Sequence, residues 1–149
     1  MVQEEKSQKK RAGFSLMELM VVVLILGLLG SLVITNIFSQ AERAKQSIAC
    51  TQMKTFQQAL DLFKQDHGAY PTTEEGLEAL IKNPDAEKYS GYMSGGYLSD
   101  KTVPKDPWKR VYVYLSDDNG IDILSLGADG KEGGTEENED IRLSTCSAK

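Results

Sequence analysis

Between Glu18 and Glu42 the chain carries no charged residue for 23 consecutive positions. As an α-helix rising 1.5 Å per residue, such a segment is roughly 34 Å long, against a hydrocarbon core about 30 Å thick. Its first part, Leu19–Ser31, reads LMVVVLILGLLGS. A helix that is apolar all round needs lipid or a large protein core around it. A chain of 149 residues is one domain with a modest core and cannot supply that cover itself. The segment therefore predicts a membrane-spanning helix; the alternative, a buried core helix, would need a much larger domain to cover it. A cleaved secretory signal fits less well, because its apolar run is about 7–15 residues and ends in a small-residue site, and no A-x-A pattern follows here.

The preceding flank, MVQEEKSQKKRAG, sets Lys6, Lys9, Lys10 and Arg11 against Glu4 and Glu5, for a net charge of +2. Basic residues beside a first span favour its cytoplasmic side, which places the rest of the chain across the membrane. The junction reads Arg11-Ala12-Gly13-Phe14-Ser15-Leu16-Met17-Glu18. A carboxylate inside an apolar span costs about 2.5–3.5 kcal/mol on insertion scales and usually has a partner. A cut after Gly13 would make Phe14 a new amine, and Glu18 could pair with the Phe14 amine of a neighbouring parallel helix. The alternative is that Glu18 only marks the interface end of the span.

Beyond the span, Ala49, Met53, Phe56, Leu60 and Phe63 recur at four and three residues, which predicts an amphipathic helix over Ala41–Gln65. Gly68 and Pro71 stop it. Thr72 with Glu75 fits a capping box ahead of a short helix ending near Asn83-Pro84. Asp85 to Lys105, rich in Gly, Ser and Tyr, reads as a loop. RVYVYL (110–115) and IDILSL (121–126) alternate as strands about the turn Asp117-Asp118-Asn119-Gly120. The expected fold is α+β: a long N-terminal helix packed on a small antiparallel sheet with a C-terminal loop.

The net charge of −5 argues against nucleic acid as a partner. One histidine, His67, excludes sites needing two imidazoles and reads as a surface residue favoured by the helix dipole. Asp129, Glu132, Glu136, Glu137, Glu139 and Asp140 lie among three glycines. Like charges so close are either solvated or neutralised by a hard cation such as Ca²⁺. Cys50 and Cys146 are either bonded or two free thiols; neither lies in a catalytic pattern.

GFSLMELMVVVLILGLLGSLV resembles the class III signal and helix of the type IV pilin superfamily. That resemblance implies cleavage by a prepilin peptidase after Gly13, N-methylation of Phe14, and an assembly role for Glu18. YPTTEEGLEAL, Asp106-Pro107-Trp108 and SLGADG, in that order, resemble the major pseudopilin family of type II secretion systems. The resemblance implies a leader at 1–13, a transmembrane and filament-core helix at 14–38, and a periplasmic domain at 39–149. It implies one calcium ion, with Leu126 supplying a carbonyl and Asp129, Glu139 and Asp140 supplying carboxylates. Glu136 or Glu137 could substitute for Glu139, because the loop is about three residues longer than the family pattern. Thr35 stands where the family usually has proline.

The implied function is structural and not enzymatic. The chain would be the main subunit of a periplasmic pseudopilus, polymerising with itself and meeting minor pseudopilins and an inner-membrane assembly platform. A type IV pilin for adhesion, motility or DNA uptake is the alternative. A membrane-anchored metal-dependent hydrolase would need a base and a pocket that the sequence does not display.

Overall fold

The computed structural model describes residues 13–135 and 138–146, giving the backbone alone for 32–38. The leader up to Ala12, the Thr35 side chain, Glu136 and Glu137 lie outside the described residues. The chain divides into two compact units, Met1–Phe38 and Ser39–Lys149, taken separately below.

Helix α1 runs Leu16–His67. In the first unit every described side chain from Phe14 to Leu29 is exposed, including Leu24 and Leu28. Among the described residues no helix is long and apolar enough to cross a membrane. The apolar part with described side chains ends at Ser31 and is roughly 24 Å long, short of a hydrocarbon core of about 30 Å.

In the second unit the 3.6-residue pattern of α1 becomes a core. Ala49, Met53, Phe56, Leu60 and Phe63 are all buried. Gly68, at φ 83°, ends the helix, and its N–H reaches the Lys64 carbonyl. The stripe packs on a three-stranded antiparallel sheet in the order β1 (Val113–Asp117), β2 (Gly120–Ser125), β3 (Ile141–Arg142). Alternation directs Tyr112 and Tyr114 inward and leaves Val111 and Leu115 exposed. Phe56 meets Tyr112 edge-on at 5.2 Å between ring centroids. In the β1–β2 turn, the Asp117 carboxylate accepts the N–H groups of Asn119 and Gly120.

Several elements differ from expectation. The capping box forms, with Thr72 N–H on Glu75 Oε2 (2.8 Å) and Glu75 N–H on Thr72 Oγ1 (3.2 Å). It closes a turn, however, and not an α-helix. Gly76, at φ 62°, interrupts the chain there, and only a 3-10 turn, Leu77–Leu80, follows. The strands lie at 113–117 and 120–125, and β3 and the one-turn helix α2 (Leu143–Cys146) are additional. The segment 85–105 has no regular structure, but it contributes Tyr89, Tyr97 and Leu98 to the core. It is pinned where Gly96 passes the Leu80 and Ile81 carbonyls, leaving no room for a Cβ.

His67 is not a plain surface residue. It is half-buried among Phe63, Tyr89 and Tyr92, and its Nε2 lies 2.9 Å from the hydroxyl of Tyr97, which donates to Asp66. The aromatic residues of 85–105 explain this: they fold over the end of α1 instead of projecting into solvent.

Glu75 ties this region together, accepting from Thr72 N–H, Lys88 and the Tyr89 hydroxyl. Burial alone would push its carboxyl up, but the Lys88, Thr72 and Tyr89 hydrogen bonds outweigh it and hold it below its ordinary value of 4.5. The unfolded chain therefore takes up this proton first. The stabilisation is present above pH 4.5 and is lost as pH falls through the folded value. Denaturation midpoints of the full chain in detergent, measured from pH 5 to about pH 3, should fall less steeply for Glu75→Gln than for the wild type.

Candidate assembly and cation sites

Glu18 stands in the first turn of α1, where the unpaired N–H groups favour a negative charge. Gly13 and Phe14 precede the helix, and Phe14 is 80% exposed. The junction at 13–15 has no regular structure and is followed by a helix whose apolar residues find no cover within the first unit. A continuous apolar surface of this kind is an interaction surface, for lipid or for other helices.

The second site is set by the sheet register. Ser125 pairs with Ile141 and Leu124 with Arg142. One step outward, this register sets Leu126 opposite Asp140 and Gly127 opposite Glu139. The backbone agrees: a Cβ added at Gly127 would lie 3.3 Å from the Glu139 carbonyl oxygen. Leu126, Glu139 and Asp140 therefore meet at the point where the acidic loop leaves and re-enters the sheet.

Asp140 Oδ2 accepts the N–H of Gly133 at 2.8 Å, while its Oδ1 is buried without a hydrogen-bond partner. A buried anionic oxygen with no donor is costly, and a cation beside it would relieve that cost. The Leu126 carbonyl accepts Gly130 N–H at 3.1 Å, closing a turn, and keeps a second lone pair. Asp129 is exposed, with Oδ1 on Lys131 N–H. Carboxylates and carbonyls are the donors of a hard cation, so these oxygens fit calcium in type. Among the described residues no three acidic, histidine or cysteine side chains are gathered to hold a metal. Asp129, Glu139 and Asp140 thus do not form a closed cluster.

Cys50 of α1 and Cys146 of α2 are joined by a disulfide, with their Cα atoms 5.4 Å apart. The bond lines a groove of about 520 Å³ together with Arg43 and Lys54 on one side and Glu139 and Asp140 on the other.

Asp106 stood in the sequence only as part of a motif, without a role, yet it organises this end of the sheet. Asp106 is buried. Its Oδ1 accepts the N–H groups of Trp108 (3.0 Å) and Arg110 (2.7 Å), and its Oδ2 accepts the Ser125 hydroxyl (2.6 Å). The Trp108 indole donates to Glu42 on α1 at 3.0 Å, and Lys45 pairs with the same carboxylate. Asp106-Pro107-Trp108 is therefore a clamp between α1 and the end of β2. An Asp accepting from the second residue after it is a known turn pattern and was a signal available in the sequence. Nothing in the sequence signals the role of Arg110, whose guanidinium donates to the carbonyls of Gly127 and Ala128.

The model for the type II secretion system protein G family matches residues 36–144, and the prokaryotic N-terminal methylation motif matches residues 8–34. The chain belongs to the type II secretion system protein G family. It is 46% identical over 138 residues to the type II secretion system core protein G of Vibrio cholerae, covering 91% of this chain and 93% of that one. The core protein G of Pseudomonas aeruginosa is 43% identical, over 90% of this chain and 95% of its own. Among solved structures, the major pseudopilin of enterohaemorrhagic Escherichia coli matches with a TM-score of 0.60 and 31% identity, covering 74% of this chain and 95% of that one. The fold is therefore pilin-like, and these relatives carry the names of secretion-system components, not of enzymes.

Removing the Asp106 carboxylate strands three donors, one buried and two half-buried. Each unsatisfied group costs about 1–3 kcal/mol. Asp106→Ala should lower unfolding stability by about 3 kcal/mol or more, and Asp106→Asn, which keeps the shape and one acceptor, by clearly less. Denaturant midpoints of the two variants against wild type measure the difference.

Proposed function

We propose that this chain is the main structural subunit of the pseudopilus in a type II secretion system, a filament that drives export of folded proteins across the outer membrane. The observation that carries this reading is the family match through residues 36–144, joined to a methylation motif over an uncovered apolar helix. On this reading a prepilin peptidase cuts between Gly13 and Phe14, and Phe14 is N-methylated. The single-pass precursor sits in the inner membrane with residues 39–149 in the periplasm. Assembly then exchanges lipid for neighbouring α1 helices, with minor pseudopilins and the inner-membrane assembly platform as further partners.

In that exchange Glu18 supplies specificity. An uncharged helix would be equally content in lipid, whereas a carboxylate near the end of the apolar run gains from leaving it for a neighbour's Phe14 amine. Glu18→Ala should be cleaved and inserted normally but give no pseudopili and no secretion in a deletion strain, read by intact mass, membrane fractionation and exoprotein assay. Normal assembly of that variant would remove the pairing from the account.

The same reading includes a structural calcium ion held by the Leu126 carbonyl and the carboxylates of Asp129 and Asp140, with Glu139 completing the set. The unpartnered Asp140 oxygen supports it. The ion would neutralise the loop and tie it to the end of the sheet. Binding to the folded state alone stabilises it by about 2.7 kcal/mol at 100 times the dissociation constant. The full chain should melt several degrees higher in Ca²⁺ than in chelator. Asp129→Ala and Asp140→Ala should abolish that shift, while Glu132→Ala should retain it. Magnesium, which holds its water in a small octahedral shell, should substitute poorly.

A further inference from the structure

The turn at residues 126–130 is built around a side chain from the segment that leads into β1. Arg110 is half-buried, and its guanidinium donates to the carbonyls of both Gly127 and Ala128. Gly130 has φ 69°, and a Cβ there would strike the Arg110 guanidinium. The guanidinium therefore fills the seat that a side chain at 130 would take. Arg110 is itself held firmly: its N–H reaches Asp106 Oδ1, and its carbonyl accepts Asp106 N–H at 2.9 Å. Asp106 is in turn bonded to Ser125 at the end of β2. Clamp and turn are thus two ends of one hydrogen-bonded path, and the turn carries the Leu126 carbonyl and Asp129.

A loop of glycines and carboxylates has many conformations and repels itself. Ordering it on binding lowers affinity, and ordering it beforehand restores affinity. Both Arg110 bonds to the turn leave one nitrogen, Nη1, and the rest of the planar guanidinium lies over Gly130, a flat shape that a lysine ammonium does not reproduce. We propose that Arg110 is a positioning residue: its guanidinium holds turn 126–130 in a cation-receptive shape before any cation arrives. It touches no cation itself and acts through the Gly127 and Ala128 carbonyls. This inference rests on the calcium reading above.

The test uses the full chain in detergent and two readouts. Hydrogen exchange of peptides covering 124–133, followed by mass spectrometry in chelator, reports the turn without metal, because Gly130 N–H is bonded to the Leu126 carbonyl. Calorimetric titration with Ca²⁺ reports affinity. Arg110→Ala should speed exchange in this segment about tenfold and weaken calcium binding about tenfold, which is about 1.4 kcal/mol. Arg110→Lys should fall short of wild type in both. Gly130→Ala, which evicts the guanidinium, should reproduce Arg110→Ala. Circular dichroism checks that each variant is folded, and the lysine variant carries the test if the alanine variant is not.

Unchanged exchange in both Arg110 variants overturns the proposal. So does faster exchange with unaltered calcium affinity, which would make the guanidinium a support for the loop alone. If wild type binds no calcium, the calcium reading fails, and the proposal with it; that case is recognised from the wild-type titration before any variant is compared.

Discussion

The burial of one face of α1 is the interaction on which the second unit depends. Met53, Phe56, Leu60 and Phe63 are almost fully removed from solvent, and the aromatic residues of the sheet and of the irregular segment converge on them. Phe63 alone has Tyr89 and Tyr97 edge-on at 5.0 and 5.3 Å between ring centroids. With only three short strands, the sheet has little hydrophobic surface of its own to spare. Its tyrosines serve twice, packing their rings on α1 and sending hydroxyls to polar partners: Tyr112 to Gln52, and Tyr114 to the Pro71 carbonyl. Burial pushes the Tyr114 hydroxyl up from its ordinary value, so both uses keep it neutral and donating.

α1 also carries two different kinds of surface along one helix. Over its later residues apolar and polar faces are segregated, the pattern of a helix half-covered by its own domain. Over residues 16–31 there is no polar face, and Leu, Val and Ile are exposed on all sides. The first kind of surface is satisfied within the chain and the second only by something outside it. A subunit that polymerises through its helix needs this division, since a segment that found cover in its own domain would have no reason to leave it for a neighbour.

Legibility followed from pattern length. The apolar run, the stripe Ala49–Phe63 and the hairpin at Asp117–Gly120 were readable because each repeats a physical period or a turn chemistry over several residues. β3 has two residues and α2 has four, so neither displays a period. The capping box at Thr72 and Glu75 was readable, and so was a short helix after it, although Gly76 limits that helix to the 3-10 stretch Leu77–Leu80. His67 and the tyrosines of 85–105 were misjudged together, since tyrosine in a glycine-rich stretch looks like loop composition until its rings have a helix end to cover. At the acidic loop the residue types were visible in the sequence. The register pairing Ser125 with Ile141, which seats Asp140 beside Leu126, is tertiary information. Arg110 was hidden for the same reason: its partners are backbone carbonyls 17 and 18 residues away, which leave no mark on side-chain identity.

The C-terminal edge of the sheet shows why a loop of this kind would gain from a cation. β3 holds to β2 through two register pairs, too few to keep a strand in place unaided. On its far side the chain enters α2, and the Cys50–Cys146 bond fixes that end to α1 across a separation of 96 residues. For a closed loop of that length the unfolded-state entropy removed corresponds to about 4–5 kcal/mol in the chain-entropy model. On its near side β3 emerges from the acidic loop, where Asp140 Oδ2 holds only the Gly133 N–H and Oδ1 holds nothing. Among the described residues, one end of the strand is anchored covalently and the other by the Asp140–Gly133 hydrogen bond, with the Arg142–Asp122 ion pair between them. On the calcium reading proposed above, a cation held by Asp140 and the Leu126 carbonyl would add an anchor at the end of β2, beside the hydrogen bonds of Asp106 and Arg110. The strand would then be pinned from both sides.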